Sequence, residues 1–137
     1  MKSTFFNNIE SNVIEEIKSA GSKKTFEPEQ MIFQKGSPAD YLYILEHGCV
    51  ELLLRHEEQL LFRLKEPGEV FGWSSLVEKG VYTSTSISKS PTLVLKISKK
   101  DIEMIFVRHP RAAIIFYQHL GSIFSKRILK QQSEKTS

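Results

Sequence analysis

Cysteine, long apolar runs and leader-like segments are all scarce in this sequence of 137 residues. Cys49 is its single cysteine, which excludes an internal disulfide and is typical of a reducing cytoplasm. No apolar stretch approaches the roughly 20 residues that a membrane-spanning helix needs, and the first residues lack the apolar core of a signal peptide. We therefore expect a cytoplasmic protein without membrane contact.

Motifs for catalysis and metal binding are missing as well. The sequence has no G-x-S-x-G turn, P-loop or Gly-rich dinucleotide turn, and no nucleophile–base pair at a recognisable spacing. His109 and His119 stand on either side of Pro110 and do not have the spacing of a helical metal pair. A single thiolate cannot hold an iron–sulfur cluster. We expect no enzyme activity, no catalytic residue and no metal site.

Charge is distributed unevenly along the chain. From Lys99 onward there are 8 basic and 3 acidic residues, a net charge of +5. The preceding residues hold 11 basic and 13 acidic side chains, a net charge of −2, and the two parts sum to the +3 of the whole chain. A basic C-terminal segment could meet nucleic acid or an acidic partner, although such a segment is more often the solvated face of a helix.

Short strand signals recur through the middle of the chain, with Gly, Pro and Asp turns between them. A spacing of about 8–12 residues between such strands is typical of an antiparallel sandwich or jelly roll. We therefore predict a mainly β fold. The predicted strands are Lys24–Phe26, Met31–Gln34, Tyr41–Leu45, Cys49–Arg55, Gln59–Lys65, Tyr82–Ile87 and Pro91–Ile97.

Helical periodicity is found at both ends of the chain. Apolar residues from Phe5 to Ile17 recur at helical spacing, with Ser3 or Thr4 as the expected N-cap and Gly21 as the stop. Near the other end, Ser98 can cap a short helix over Lys100–Val107.

A longer C-terminal helix is predicted over Pro110–Gln131, where it would span roughly 33 Å. Its apolar residues are broadly distributed, so one side would cover the barrel, and the other would meet a second copy of the chain in a homodimer. Gly121 interrupts this helix as packing room or as a hinge. The expected seam is Ala113, Tyr117, Leu120, Phe124 and Ile128, widened by Ala112, Phe116 and Ile123.

The segment Gly68–Ser90 organises the rest of the sequence. A short apolar run turns at Gly72, a short helix is predicted over Ser74–Val77, and an alternating strand follows Gly80. A strand–Gly–helix–strand insert gathers backbone N–H groups around one point, and the helix N-terminus adds about half a positive charge. Such a site suits an anion, typically a phosphate.

Three motifs together resemble the cyclic nucleotide-binding domain. They are GSPADYLYI at Gly36–Ile44, the His47-Gly48 turn, and PGEVFG at Pro67–Gly72. This family provides the sensor module of catabolite-activator-type transcription factors, of the cAMP-dependent kinase regulatory subunit and of cyclic nucleotide-gated channels. The resemblance implies an eight-stranded jelly roll, or double-stranded β-helix, with a phosphate-binding cassette between two strands.

The resemblance covers nearly the whole chain and implies one domain over residues 1–137. N-terminal helices would occupy 1–22, the barrel 23–98 with the cassette at 68–86, and C-terminal helices 99–131. Transcription factors of this type continue into a helix-turn-helix domain, which the residues after 131 are too few to form. We therefore expect no direct DNA binding by this chain, unless it is the sensor fragment of a longer regulator.

Two cassette positions depart from the family pattern. Trp73 stands where cyclic nucleotide binders carry a Glu for the ribose, and Tyr82 stands where they carry the Arg that pairs with the phosphate. Arg offers a charged fork of donors, whereas Tyr offers one neutral hydroxyl. We therefore expect no binding of cAMP or cGMP in the usual mode of the family.

The candidate ligand-contact residues lie on both arms of the cassette. Trp73 either stacks on a planar ligand or plugs the pocket, and Tyr82 either contacts the ligand or packs on the barrel surface. The ligand is not identified by the sequence; a cyclic nucleotide or another small anion would suit the site. The candidates are Phe71, Gly72, Trp73, Ser74, Ser75, Leu76, Tyr82, Thr83 and Ser84.

Two functions are compatible with these residues. The first is a small-ligand sensor, homodimeric through its C-terminal helix, in which binding changes the affinity for a protein partner. The second is a ligand-free dimerisation or protein-interaction module whose pocket is closed. An open polar cavity beside Ser74 and Ser75 would favour the sensor, and Trp73 folded into the cassette would favour the interaction module.

Overall fold

The computed structural model describes residues 4–53, 60–76 and 80–136, with all of their side chains except those of Thr4, Leu61 and 124–136. Helices stand at both ends of these residues and strands lie between them. In chain order the elements are a 3₁₀ turn at Thr4–Phe6, α1 (Ser11–Ala20), β1 (Ser22–Phe26), β2 (Met31–Phe33), β3 (Tyr41–His47), β4 (Val50–Leu53), β5 (Leu60–Leu64), β6 (Val70–Phe71), a 3₁₀ turn at Trp73–Leu76, β7 (Thr85–Ser88), β8 (Thr92–Ser98), α2 (Lys99–Arg108) and α3 (Pro110–Thr136).

The strands of the described residues form two four-stranded antiparallel sheets. The first has the order β1-β8-β3-β6 and the second the order β2-β7-β4-β5. Strands that are distant in the sequence are therefore neighbours, as in a jelly roll, and the predicted fold class is confirmed. Of the predicted β4–β5 hairpin, residues 54–59 lie outside the described residues.

Alternation along the strands of the first sheet produces two separate cores. Leu42 and Ile44 on β3 are buried against the helices, as are Leu95 and Ile97 on β8. The intervening side chains point the other way, into the space between the two sheets. This inner cluster contains Tyr43, Leu45, Phe71 and Val94 from the first sheet, with Phe33, Val50, Leu52 and Leu64 from the second.

Gly21 sets the distance between α1 and the first sheet. As predicted, α1 ends at this residue, and a Cβ added there would lie 2.7 Å from Leu95 Cγ and 2.8 Å from Ile97 Cγ1. Contacts this short do not occur between real side chains, so a larger residue would force the helix away from β8. The N-terminal helical segment is therefore held close to the sheet by the absence of a side chain.

The two C-terminal helices follow the last strand directly. Ser98 caps α2 by accepting a hydrogen bond from the Asp101 amide at 3.1 Å, which confirms the predicted cap. The α3 helix begins at Pro110, as predicted, and continues to Thr136 rather than ending at Gln131.

The buried residues of α3 all belong to the predicted apolar face, one of them to its seam and two to its widened part. Ala112, Phe116 and Leu120 face the protomer's own core, where the Phe116 ring lies 4.9 Å from that of Phe5 and 5.0 Å from that of Phe106. Leu120 therefore belongs to the intramolecular contact, and the prediction that it lines a dimer seam was wrong. The side chains of the other predicted seam residues Phe124 and Ile128 lie outside the described ones.

Candidate functional site

Gly72 turns the chain from β6 into the 3₁₀ turn of the cassette. Its φ of +76° lies in the left-handed region, which favours glycine. A Cβ at this position would lie 3.0 Å from Tyr43 Cδ2 and 3.3 Å from the Tyr41 carbonyl oxygen. Any side chain would therefore push the cassette away from β3, so the glycine keeps the turn against the sheet.

The serine hydroxyls of the turn are partly used by the protein itself. Ser75 is fully buried, and its hydroxyl donates to the Gly72 carbonyl at 3.0 Å. Ser74 Oγ lies 3.3 Å from Thr83 Oγ1, so one hydrogen bond joins the two arms of the cassette. The structure thus brings together Ser74 and Thr83, two of the predicted contact residues, whereas Ser75 acts locally.

Ser84 has a buried hydroxyl with no hydrogen bond to any described residue. The residue is 8% exposed, and neither a backbone group nor another side chain in the described part of the chain accepts from its hydroxyl or donates to it. Buried hydroxyls are usually paired, and an unpaired one costs about 1–3 kcal/mol. Such a group marks a place where a ligand or a water molecule would complete the hydrogen bonding.

Trp73 packs on the helix side of the first sheet. It is half-buried and contacts the cluster formed by the helices and the outer face of this sheet, as does Leu76 of the same turn. The preceding Phe71 points into the inner cluster, and the Gly72 turn reverses the direction of the chain. The two interpretations of Trp73 from the sequence, a stacking platform or a plug, stay predictions.

Tyr82 lies inside the barrel, so the predicted alternative of barrel-surface packing was wrong. The residue is 4% exposed, and its hydroxyl donates to the Tyr41 carbonyl at 2.8 Å. Its backbone pairs with the 36–37 turn, since its amide donates to the Ser37 carbonyl at 3.0 Å and its carbonyl accepts from the Gly36 amide at 2.8 Å. These bonds explain why β7 begins at Thr85 and not at Tyr82.

Four aromatic rings fill the space between the sheets beside the cassette. Tyr82 stacks on Phe33 with 3.9 Å between ring centroids, and the Phe71 ring lies 5.2 Å from that of Tyr43 and 6.0 Å from that of Phe33. Burial in this cluster raises the pKa of both tyrosines, with the neighbouring phenol of Tyr43 adding to the effect on Tyr82. Both phenols are therefore neutral at physiological pH.

Phe33 and Tyr43 were missed by the sequence-based site prediction. The available signal was the alternation of β3, which places Tyr41, Tyr43 and Leu45 on one face of the strand. The sequence did not indicate that Phe33 of the opposite sheet contacts the Tyr43 ring.

Two grooves lie between helices, away from the cassette. One groove of about 700 Å³ lies between α1 and α2. Its lining includes Glu15, Glu16, Asp101 and Met104. Another of about 440 Å³ lies between α1 and the junction of α2 with α3. Within 4–53, 60–76 and 80–136, no helix has both the length and the apolar character to cross a membrane.

Comparison with known proteins identifies the family. The family model of the cyclic nucleotide-binding domain matches residues 23–109, from the first strand to the junction of the C-terminal helices. The chain therefore belongs to the cyclic nucleotide-binding domain family, a family of regulatory modules.

Individual relatives agree with this assignment. The Cyclic AMP receptor protein of Thermus thermophilus is 26% identical over 105 residues, which cover 75% of this chain and 47% of that protein. This chain thus spans about half the length of that curated relative.

Solved structures share the fold. The Catabolite Activator Protein of Thermus thermophilus superimposes with a TM-score of 0.77 at 22% identity, covering 98% of this chain and 62% of that one. The regulatory subunit of a cAMP-independent protein kinase A from Trypanosoma brucei gives a TM-score of 0.79 at 17% identity, covering 97% and 46%.

Proposed function

We propose that this chain is a regulatory module of the cyclic nucleotide-binding fold that does not bind cAMP or cGMP in the usual mode of the family. It acts through protein contacts of its terminal helices, and its barrel is closed by its own aromatic side chains. The observation that carries the proposal is the position of Tyr82, which is buried, stacked on Phe33 and hydrogen-bonded to the Tyr41 carbonyl.

The chemistry of Tyr82 supports this conclusion. A cyclic phosphate needs a cation, and the resemblance to the family implies an Arg at this position. Tyr82 supplies a neutral ring instead, and its single hydroxyl is already engaged. Each hydrogen bond to a charged group is worth about 1.5–3 kcal/mol, so the loss of a bidentate pair corresponds to a roughly hundred- to thousandfold or greater loss of affinity.

Exposed apolar side chains on the C-terminal helices support a role in protein contacts. Met104 and Val107 on α2 are 60% and 81% exposed, and Ile114 on α3 is 60% exposed. Tyr117, one turn further along α3, is also exposed. Groups of exposed apolar residues are typical of interaction surfaces. We infer that a second copy of the chain or a protein partner covers this region.

A small-ligand sensor is the second candidate, and Ser84 favours it. Its unpaired buried hydroxyl lies on the returning arm of the cassette, next to Thr83, which is joined to Ser74. A small polar or anionic ligand bound between these hydroxyls would shift the arrangement of the helices only by its difference in affinity for the two arrangements. The relatives fit either candidate, since one is a cyclic AMP receptor and another is a cAMP-independent regulatory subunit.

Calorimetric titration with cAMP and cGMP tests the main proposal. We expect no saturable binding by the wild-type protein at millimolar nucleotide. The doubly substituted variant Trp73→Glu with Tyr82→Arg restores the residue types that the family uses, and gain of binding there would show that these two positions are responsible. Micromolar binding by the wild type would overturn the proposal.

A thermal-shift screen with cyclic mono- and dinucleotides separates the two candidates. A ligand that raises the melting temperature of the wild type but not of Ser84→Ala supports the sensor. The interaction module is supported if no compound changes the melting temperature and if self-association depends on the exposed residues of α2 and α3.

A further inference from the structure

Two lysines on the first sheet point toward the inner side of the barrel. Lys24 on β1 pairs with Val94, and Lys96 on β8 pairs with Ser22 on one side and Tyr43 on the other. Val94 and Tyr43 belong to the inner cluster, and residues paired across neighbouring strands share a face of the sheet. Lys24 and Lys96 are therefore diagonal neighbours on the inner face of the first sheet.

Lys96 is held in place by Tyr41. Its ammonium nitrogen lies 4.0 Å from the centroid of the Tyr41 ring, a cation–π contact. The side chain is half-buried, and this burial, together with the positive charge of Lys24, lowers the pKa of Lys96. The local environment thus disfavours the charge that an isolated lysine would carry, and a bound anion would relieve both effects.

Neither lysine has an ionic partner among the residues that the structure describes. Two other lysines in that part of the chain are paired, Lys23 with Glu46 at 3.7 Å and Lys89 with Glu29 at 2.8 Å. Lys23 is adjacent to Lys24 on β1 but points to the opposite face. Lys23 and Lys89 thus have carboxylates within ion-pair distance, whereas no carboxylate of the described residues lies within that distance of Lys24 or Lys96.

Protection of a sheet edge explains only one of the two lysines. A lysine that points inward on an edge strand discourages pairing with another chain, and β1 is the edge of the first sheet. This accounts for Lys24. Lys96, however, lies on β8, which is paired on both sides by β1 and β3, so its charge protects no edge.

We propose that Lys24, Lys96 and Tyr41 form a binding site for a multiply charged oxyanion on the inner face of the first sheet, separate from the cassette. The two ammonium groups would bind the anion between them, and the Tyr41 ring would keep Lys96 oriented toward it. Since Tyr82 donates to the Tyr41 carbonyl, the site adjoins the aromatic cluster that closes the barrel. A phosphate or a polycarboxylate carries the required chemistry.

Isothermal titration with pyrophosphate at low ionic strength tests this site in the full chain. Wild-type protein should bind pyrophosphate saturably, and Lys24→Gln and Lys96→Gln should each weaken binding about tenfold or more, as expected for loss of one charge-assisted hydrogen bond. Lys23→Gln is the matched control, because it removes the same charge from the neighbouring residue on the opposite face. It should leave the affinity unchanged.

Three outcomes would overturn the proposal. These are absence of saturable binding, an equal loss of affinity in Lys23→Gln, and a loss confined to the cassette variant Ser84→Ala. The last result would place the anion in the cassette. Failure of the lysine site and failure of the proposed function therefore give different results. Citrate in a parallel titration distinguishes the source of the charge: binding of both anions defines a general oxyanion site, and binding of pyrophosphate alone defines a phosphate site. Thermal unfolding of each variant verifies that it is folded.

Discussion

The rings of Tyr82 and Phe33 lie nearly parallel, with an angle of 14° and 3.9 Å between their centroids. One ring belongs to the returning arm of the cassette and the other to β2 of the second sheet. Their contact fastens the cassette to the inside of the barrel. A chain that moved its cassette to admit a ligand would first have to separate these rings.

Tyr82→Phe isolates the hydroxyl from the ring. The stack on Phe33 is retained, but the Tyr41 carbonyl loses its phenol donor, and we expect a loss of about 1–3 kcal/mol in the free energy of unfolding. Urea denaturation measures the difference. Tyr117→Phe is the control, because this phenol is exposed and should change stability by less than about 0.5 kcal/mol. Equal stability of Tyr82→Phe and wild type would show that the buried hydrogen bond contributes nothing.

Much of the fold was predictable from the sequence, because alternation and turn residues mark each strand locally. The contents of the site were less predictable. Tyr82 continues the alternating pattern of the following strand, yet its backbone bonds with Gly36 and Ser37, which are distant in the sequence. Leu120 similarly fits two helical seams, and only the position of the Phe5 and Phe106 rings decides which one is buried.

Stability should decline at alkaline pH because of the buried tyrosines. The pKa values of Tyr43 and Tyr82 are raised above the ordinary 10.0 by burial, so these phenols keep their protons in the folded state when the unfolded chain has lost them. Above about pH 10 the folded state therefore holds more protons than the unfolded state does. Because raising the pH favours the state that holds fewer protons, the free energy of unfolding falls there. Urea denaturation from about pH 8 to about pH 11 measures the slope.

The slope should be smaller in Tyr82→Phe, which has one fewer buried phenol. Tyr41→Phe provides the comparison, since that ring is exposed and borders the barrel. An identical alkaline slope in wild type and Tyr82→Phe would mean that Tyr82 ionises as freely in the folded protein as in the unfolded chain.

Gly21 and Gly121 should respond oppositely to alanine. Gly21→Ala places a methyl group 2.7 Å from Leu95 Cγ, and we expect a loss of about 1–3 kcal/mol in the free energy of unfolding. At Gly121 an added Cβ meets nothing within 4 Å, so Gly121→Ala should raise helix stability by up to about 1 kcal/mol. Thermal and urea unfolding at low protein concentration measure both effects.

Gly121→Ala also reports on contacts outside the protomer. If the proposed dimer brings a second helix close to Gly121, the alanine should destabilise the protein at high concentration while stabilising it at low concentration. Stabilisation at every protein concentration would show that no helix of a second copy approaches Gly121 closely.

The proposed dimer through α3 is tested by Ile114→Asp. Ile114 is 60% exposed, so the charge should leave the fold intact while disrupting an apolar contact with a second copy. Light scattering should then show the mass of two chains for the wild type and of one for the variant. Leu120→Asp is the contrasting change: this side chain is 6% exposed in the protomer's own core, and a carboxylate there should cost at least about 3 kcal/mol and unfold the protein. A wild type that is monomeric at high concentration, or an Ile114→Asp variant with unchanged mass, would remove α3 as the dimer contact and leave the exposed residues of α2 as the surface for a different partner.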